Sequence, residues 1–287
     1  MKKKILITGG AGFIFSNFIR NLLYKRNDFT IVNIDNLSSP HSFNNLYANK
    51  GNILHVGDVS DSSFVDSIFQ IEKPDIVIHG AAQSRVDDSI ASAVPFIKSN
   101  VLGTQVMVDA ALKYDIDRFI LISTDEVFGH LESEDDDPWV EGDITNPRNP
   151  YAASKMCSEL VVKAAHVTHG LKYNITRSCN NLGPRQSIKN LIPKIIKCIL
   201  NKEKMPIYGE GKQVREWIHV FDNCAAIMTI LENGAMNETY NISTNWEISN
   251  IELFIKICDI LGGGHDLVKF IPDPRPGHDF RYSIDGR

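Results

Sequence analysis

The triplet Thr124-Asp125-Glu126 places a hydroxyl and two adjacent carboxylates directly after the run Phe119-Ile120-Leu121-Ile122-Ser123. That run is apolar, β-branched and free of breakers, which predicts a buried strand. In an open parallel sheet, ligands sit at the carboxyl ends of the strands. The triplet is therefore placed where a small molecule binds. Two neighbouring carboxyls suit paired acid and base work, because unlike surroundings can push their pKa values apart. Taken alone, the triplet reads equally well as the polar entry to a loop. A second reactive pair is Tyr151 and Lys155. Pro150 suits the first turn of a helix, which puts the phenol and the ammonium one turn apart on one face. A cation near a phenol favours phenolate, so a group that ordinarily ionises near about 10 becomes usable as a base at neutral pH. Many helices carry such a pair by chance, and its weight comes from the elements around it.

Those elements alternate strand and helix. Lys4-Ile5-Leu6-Ile7-Thr8 reads as a buried strand, followed by Gly9-Gly10-Ala11-Gly12-Phe13-Ile14-Phe15 and a helix from about Gly12 to Tyr24. Glycines between a strand and a helix let the backbone approach a pyrophosphate, which the helix N-terminus stabilises. A second strand, Thr30 to Asp35, ends in a carboxylate at the spacing that holds the two hydroxyls of an adenosine ribose. A carboxylate there repels a 2′-phosphate, so NAD is expected rather than NADP. Phe15 stands where a third small residue normally allows close helix–strand packing. The expectation is a helix displaced outward or a ring turned into a gap, with cofactor binding retained. Asn52 to Val56 is a third strand ending in Gly57-Asp58-Val59, and Asp75 to His79 is a fourth, ending in Gly80-Ala81-Ala82-Gln83-Ser84. A helix from about Val94 to Tyr114 leads back to the Phe119 strand. The pattern predicts an α/β fold with a doubly wound parallel sheet.

Composition agrees with an ordinary globular chain. The 287 residues are 43% hydrophobic and 23% charged, with net charge −5 and a pI near 6.0. That balance argues against a nucleic-acid binder. Five scattered cysteines without a C-x-x-C predict reduced thiols and no metal site. No apolar stretch nears the roughly 20 residues that span a bilayer and no signal peptide is visible, so a cytoplasmic location is expected. The acidic run Glu132 to Asp137 reads as a solvated loop.

Together these motifs resemble the extended short-chain dehydrogenase/reductases, and more narrowly the nucleotide-diphosphate-sugar 4,6-dehydratases of the dTDP-glucose and UDP-glucose type. The resemblance runs through Ile7-Thr8-Gly9-Gly10-Ala11-Gly12, Ala81-Ala82-Gln83-Ser84, Ser123-Thr124-Asp125-Glu126-Val127 and Tyr151-x-x-x-Lys155. It continues in Asn180-Asn181-x-Gly183-Pro184, Tyr208-Gly209-x-Gly211, Arg215-x-Trp217 and Arg275-Pro276-Gly277-His278-Asp279-x-Arg281. It implies a Rossmann-type sheet over residues 1–175, with parts of 215–245 returning to it. Residues 176–287 would mainly form a smaller nucleotide-sugar domain. It implies NAD held by Gly9, Gly12, Phe13, Ile14, Asp35, Asn36, Asp58, Val59, Ala81, Ala82, Ser84, Asn100, Ser123, Tyr151 and Lys155. The sugar nucleotide would meet Ser84, Arg85, Asn180, Asn181, Arg215, Asn241, Arg275 and His278, with Arg281 in the same arginine-rich segment. Arginine suits diphosphate because its planar fork makes paired charge-assisted bonds, whereas Trp217 reads as core.

The implied reaction is oxidation at C4, loss of water across C5 and C6, and reduction at C6. Thr124 would bond O4, Tyr151 take its proton and Lys155 hold the nicotinamide ribose. Glu126 would remove the C5 proton and Asp125 protonate the leaving hydroxyl, giving a lyase with tightly bound NAD. The resemblance also implies a homodimer through a four-helix bundle. Phe128 in place of tyrosine, Arg85 in place of histidine and an early chain end depart from the pattern. They leave open glucose against N-acetylglucosamine, and retention against inversion at C5; Gln83 leans toward UDP over dTDP. The alternatives are a 4-epimerase, which needs Tyr151 and Lys155 alone, and a non-catalytic nucleotide-binding protein.

Overall fold

The structure is a computed structural model describing residues 2–39 and 42–287. Its strands are β1 (Lys3–Thr8), β2 (Phe29–Asp35), β3 (Asn52–Val56), β4 (Ile76–His79), β5 (Arg118–Thr124), β6 (Tyr173–Ser178), β7 (Asn180–Leu182), β8 (Met205–Tyr208), β9 (Val214–His219), β10 (Glu238–Ile242), β11 (Glu247–Ser249) and β12 (Val268–Ile271). Seven of them form one sheet in the order β10-β6-β5-β4-β1-β2-β3, and every neighbouring pair is parallel. The order reverses at β1, so the crevice outside β1 and β4 is where a ligand belongs. Both faces are covered. Ile5 and Ile7 pack with Phe15, Phe18 and Ile227, while Leu6 and Val32 pack with Val106, Phe119 and Val162. That two-sided burial explains why the strands read as near-continuous apolar runs.

The remaining strands build a smaller lobe around Trp217, Leu253 and Phe254, in a three-stranded sheet β11-β9-β7 and a two-stranded sheet β12-β8. β6 carries the main sheet on to Ser178, and β10 returns to pair with it. Among the described residues no helix is long and apolar enough to cross a membrane.

Two local features depart from regularity. The helix expected from about Val94 to Tyr114 forms, but Ile97–Leu102 is wound as a π-helix between α-helical turns. Widening the turn suits the Asn100 carbonyl, which accepts the hydroxyls of Thr104 at 2.5 Å and Ser158 at 2.7 Å; such turns often mark functional sites. At Phe15 the ring is buried and lies over Gly80, where an added Cβ would stand 2.0 Å from Phe15 Cε2. The small residue missing from the helix is thus supplied by the end of β4. Phe128 is likewise core, stacked on Trp139 at 6.0 Å and covered by the Arg177 guanidinium at 4.5 Å.

Gly80→Ala should therefore destabilise the protein by about 1–3 kcal/mol through overpacking, and cost little in a Phe15→Ala background. Urea unfolding of the four proteins checks this; equal cost in both backgrounds would refute the pairing of Phe15 with Gly80.

Candidate active site

β5 ends at Thr124, and Asp125–Phe128 turn into a 3-10 helix. The Thr124 hydroxyl caps that turn, accepting the Glu126 amide at 3.3 Å and donating to Asp125 Oδ1 at 3.0 Å. Asp125 is 2% exposed, and its Oδ2 has no partner among the described residues. Burial, with Glu126 alongside, pushes its carboxyl up to about 8. Glu126 is also pushed up by burial, but Asn149 and the charge of Arg215 pull it back. The Asn149 contact is Nδ2 to Oε2 at 2.9 Å. Two chain neighbours thus have unlike surroundings, one proton-bearing with a buried oxygen left unpartnered, the other raised by burial but given an amide donor.

The helix Pro150–His169 starts beside them. Asn149 caps it by accepting the Ala152 amide at 2.8 Å, and Pro150 occupies its first turn. Tyr151 and Lys155 both line the cleft that holds Thr124, Asp125 and Glu126. The expected direction of the phenol is corrected. Burial first, and then the charge of Glu126, pushes Tyr151 above the ordinary phenol range, with the Thr124 hydroxyl pulling it partly back. Lys155 Nζ donates to the Ile122 carbonyl at 2.5 Å, and burial lowers it to about 8. Its charge is engaged with a carbonyl of β5, while the charges that act on the phenol come from the Glu126 and Asp125 carboxyls.

The cleft measures about 570 Å³, and its walls fit a dinucleotide. Gly9 has φ +77°, and a Cβ there would meet the Ala81 backbone at 3.0 Å, so glycine is required where the two loops touch. Gly12 precedes the helix Phe13–Lys25 without a side-chain cap, and the first-turn amides at Phe13 and Ile14 face the cleft as an anion site. Asp35 and Asn36 line the cleft. Asp35 braces the glycine loop, accepting Ala11 N at 2.9 Å and Leu37 N at 2.8 Å, and each carboxylate oxygen keeps a lone pair for a ribose hydroxyl. Asp58, Val59, Ala81, Ala82, Ser84, Arg85 and Ser123 complete the wall. The buried Ser123 Oγ has no partner among the described residues.

Asn100 is corrected. It does not line the cleft and is 1% exposed. Its side chain accepts Gln83 N at 2.8 Å and donates to Gln83 O at 2.9 Å and Ser154 Oγ at 2.8 Å. It ties the loop after β4 to the helix of Tyr151. Sequence reasoning missed the relay behind it. Thr8 Oγ1 accepts the Gly80 and Ala81 amides at 3.1 and 3.0 Å, so its proton goes to His79 Nδ1 at 2.8 Å. His79 Nε2–H then donates to Thr104 Oγ1 at 3.1 Å. Burial holds this imidazole neutral, with its pKa lowered to about 3.

A smaller cleft of about 130 Å³ joins the first at Glu126 and Asn180. Arg215, Arg275 and His278 line it, together with Arg148, Asn149 and Tyr282. His278 Nδ1 meets Asp273 Oδ2 at 2.6 Å, and its Nε2 faces Arg215 and Arg275 at 3.3 Å each. Neutral imidazole satisfies all three, donating from Nδ1 and accepting at Nε2, so His278 aligns both guanidiniums. Arg275 also grips Asp87 through two bonds, at 2.6 and 3.1 Å, joining the C-terminal segment to the helix Val86–Ala91. The Asn180 side chain makes no bond among the described residues.

Three expected substrate residues are placed otherwise. Asn181 borders the larger cleft, but its amide is spent on Asn223, Ser178 and the Cys179 carbonyl. Asn241 lies outside both clefts and donates to the Trp139 and Asp285 carbonyls at 3.1 Å each, pinning the C-terminal segment to β10. Arg281 pairs with Glu247 and bonds the Ser133 and Asp136 carbonyls of the acidic loop. Asn149 is a further site residue that sequence reasoning did not single out; its type at a helix-cap position was the available signal.

Residues 5–243 match the model of the NAD dependent epimerase/dehydratase family. The chain belongs to that family. NAD is its cofactor, and it is an enzyme of the nucleotide-diphosphate-sugar dehydratase and epimerase kind. It is 47% identical, over 98% of its length and 89% of the relative's, to the low-salt glycan biosynthesis protein Agl12 of Haloferax volcanii. The dTDP-glucose 4,6-dehydratase DesIV of Streptomyces venezuelae, solved with NAD bound, superposes with a TM-score of 0.92 at 38% identity, covering 99% of this chain and 88% of that one. The UDP-glucose 4-epimerase of Thermotoga maritima, solved with UDP-glucose, gives 0.91 at 29% identity, covering 99% and 90%.

The raised Asp125 carboxyl has a consequence for stability. Unfolded, it loses its proton near the ordinary 3.8; folded, it keeps it up to about 8. The folded state thus binds the extra proton, and its contribution is fully present below 3.8 and lost as pH rises to about 8. Urea unfolding of wild type and Asp125→Asn between these limits should show the variant gaining steadily on wild type as pH rises. Parallel stability curves would contradict the raised pKa.

Proposed function

We propose that the chain is an NAD-dependent 4,6-dehydratase of a dTDP- or UDP-linked hexose, with glucose the first substrate to test. The observation that carries this reading is the carboxyl pair Asp125–Glu126 facing the same cleft as Tyr151 and Lys155, with a proton held on the first and the second, also raised by burial, receiving the Asn149 amide donor. An epimerase that moves hydride from and to one carbon has no use for that pair.

NAD, held by the glycine loop and Asp35, would supply the acceptor and then the donor of a hydride. Tyr151 receives the O4 proton, with the Thr124 hydroxyl beside it holding the same oxygen. Because burial raises its pKa, Tyr151 is present as the phenolate that takes this proton only with added positive charge close by, which a bound cationic nicotinamide would add to that of Lys155. A ketone at C4 makes the C5 proton acidic, and Glu126 removes it. Asp125 gives its proton to the C6 hydroxyl, which leaves as water. Arg215, Arg275, His278 and Asn180 bind the diphosphate, the arginines through charge-assisted bonds. Arg85 and Ser84 border the hexose.

A second copy of the chain is the proposed partner. Val94 and Leu102 on one helical run, and Leu160 and Val167 on the neighbouring helix, are 75%, 48%, 53% and 82% exposed. Adjacent helices with an outward apolar face suit a self-complementary interface. A monomeric mass in light scattering at micromolar concentration would contradict it.

Purified protein incubated with dTDP-glucose or UDP-glucose should yield a 4-keto product that absorbs in alkali. Glu126→Gln should lower its formation about hundredfold or more, the ordinary worth of a general base, while reduced cofactor accumulates. Conversion to the galactose form without any keto product would favour the epimerase reading, and unimpaired product from the variant would remove Glu126 as the base.

A further inference from the structure

Asn149 has two jobs in one side chain. Its Oδ1 caps the helix that carries Tyr151 and Lys155, and its Nδ2 donates to Glu126 Oε2. The second contact is the hydrogen bond that the Glu126 carboxylate makes among the described residues, and it leaves Oε1 toward the cleft. We propose that Asn149 is a positioning residue for the elimination step: it holds the Glu126 carboxylate in its ionised form and in register with the helix that bears the phenol. This rests on the dehydratase reading, in which Glu126 is the base.

The cap explains why an amide suits the position. Serine, aspartate and asparagine all start helices well, yet of the three asparagine alone caps with one atom and donates N–H from another. A carboxylate accepting such a donor is favoured in its charged form. The donor matters because Glu126 is otherwise hard pressed. Asp125 and Tyr151 stand on one side of it, and Asp279 and Tyr282 come from the C-terminal segment. Arg215 from β9 and Arg275 supply the positive charge, and both are committed elsewhere: Arg215 to the Val214, Phe280 and Asp279 carbonyls, Arg275 to Asp87. Arg148, also in the smaller cleft, is paired with Asp279 at 2.7 Å.

Because the cap and the donor are different atoms, they separate by substitution. Asn149→Ser keeps a capping oxygen and removes the amide N–H, its single hydroxyl lying one bond closer to the backbone; Asn149→Asp keeps the cap and sets a second carboxylate against Glu126. The test is single-turnover decay of the reduced cofactor, followed across pH with whichever of dTDP-glucose and UDP-glucose the wild type converts. The acid limb of the decay rate should move up by about one pH unit in Asn149→Ser, the rough worth of one charge-assisted hydrogen bond, and further in Asn149→Asp. On that limb the rate falls about tenfold and more. Formation of the reduced cofactor, KM and the melting temperature of Asn149→Ser should stay near wild type.

A purely structural cap predicts no shift of the limb in Asn149→Ser, and that result overturns the proposal while leaving the dehydratase reading intact. A shift in melting temperature with an unmoved limb does the same. Wild type that makes no keto product from either nucleotide sugar overturns both.

Discussion

Two neighbouring carboxyls taken out of water cannot both stay ionised without support, and the arrangement around β5 follows from that constraint. Asp125 is left with an unpartnered oxygen and keeps its proton. Glu126, one residue on, receives an amide donor and the field of Arg215. The 3-10 turn capped by Thr124 sends the two side chains into these unlike surroundings. Two carboxyls of nearly the same type thereby differ in their surroundings, as the proposed acid and base roles require.

Holding that arrangement takes polar scaffolding beneath the reactive groups. The relay Thr8–His79–Thr104 joins the start of the glycine loop to the loop after β4 and to the π-helical turn. Asn100 extends it to Ser154 on the helix of Tyr151, and Ser158 closes back on the Asn100 carbonyl. All of these groups are buried, and a buried polar network that is fully bonded is stiff. The wider helical turn at Ile97–Leu102 lets one carbonyl take two hydroxyls. Across the cleft, neutral His278 does comparable work by aligning two guanidiniums that would otherwise repel.

Much of this was legible in the residues. The strand runs, the glycine loop, the acidic end of β2 and the Tyr151–Lys155 spacing depend on local periodicity and on rules that hold within one βαβ unit. What depended on distant partners was not. Phe15 reads as an obstacle because its compensation, Gly80, lies 65 residues away in sequence, just past the end of β4. Asn100 and Asn241 are polar residues of the right type whose side chains turn to backbone groups, and type alone does not give direction. The phenol's pKa was misjudged for a similar reason. The spacing of Tyr151 and Lys155 says that they share a helix face, not that the ammonium spends its bond on Ile122 while two carboxyls crowd the ring.

In the proposed reaction hydride leaves one carbon of the hexose and returns to another, with water lost between. The most direct measurement uses nucleotide-linked glucose carrying deuterium at C4, with the product followed by NMR and mass spectrometry. Deuterium recovered at C6 of a 4-keto-6-deoxy product is the predicted result. Deuterium that stays at C4, or is lost to solvent without appearing at C6, would contradict it.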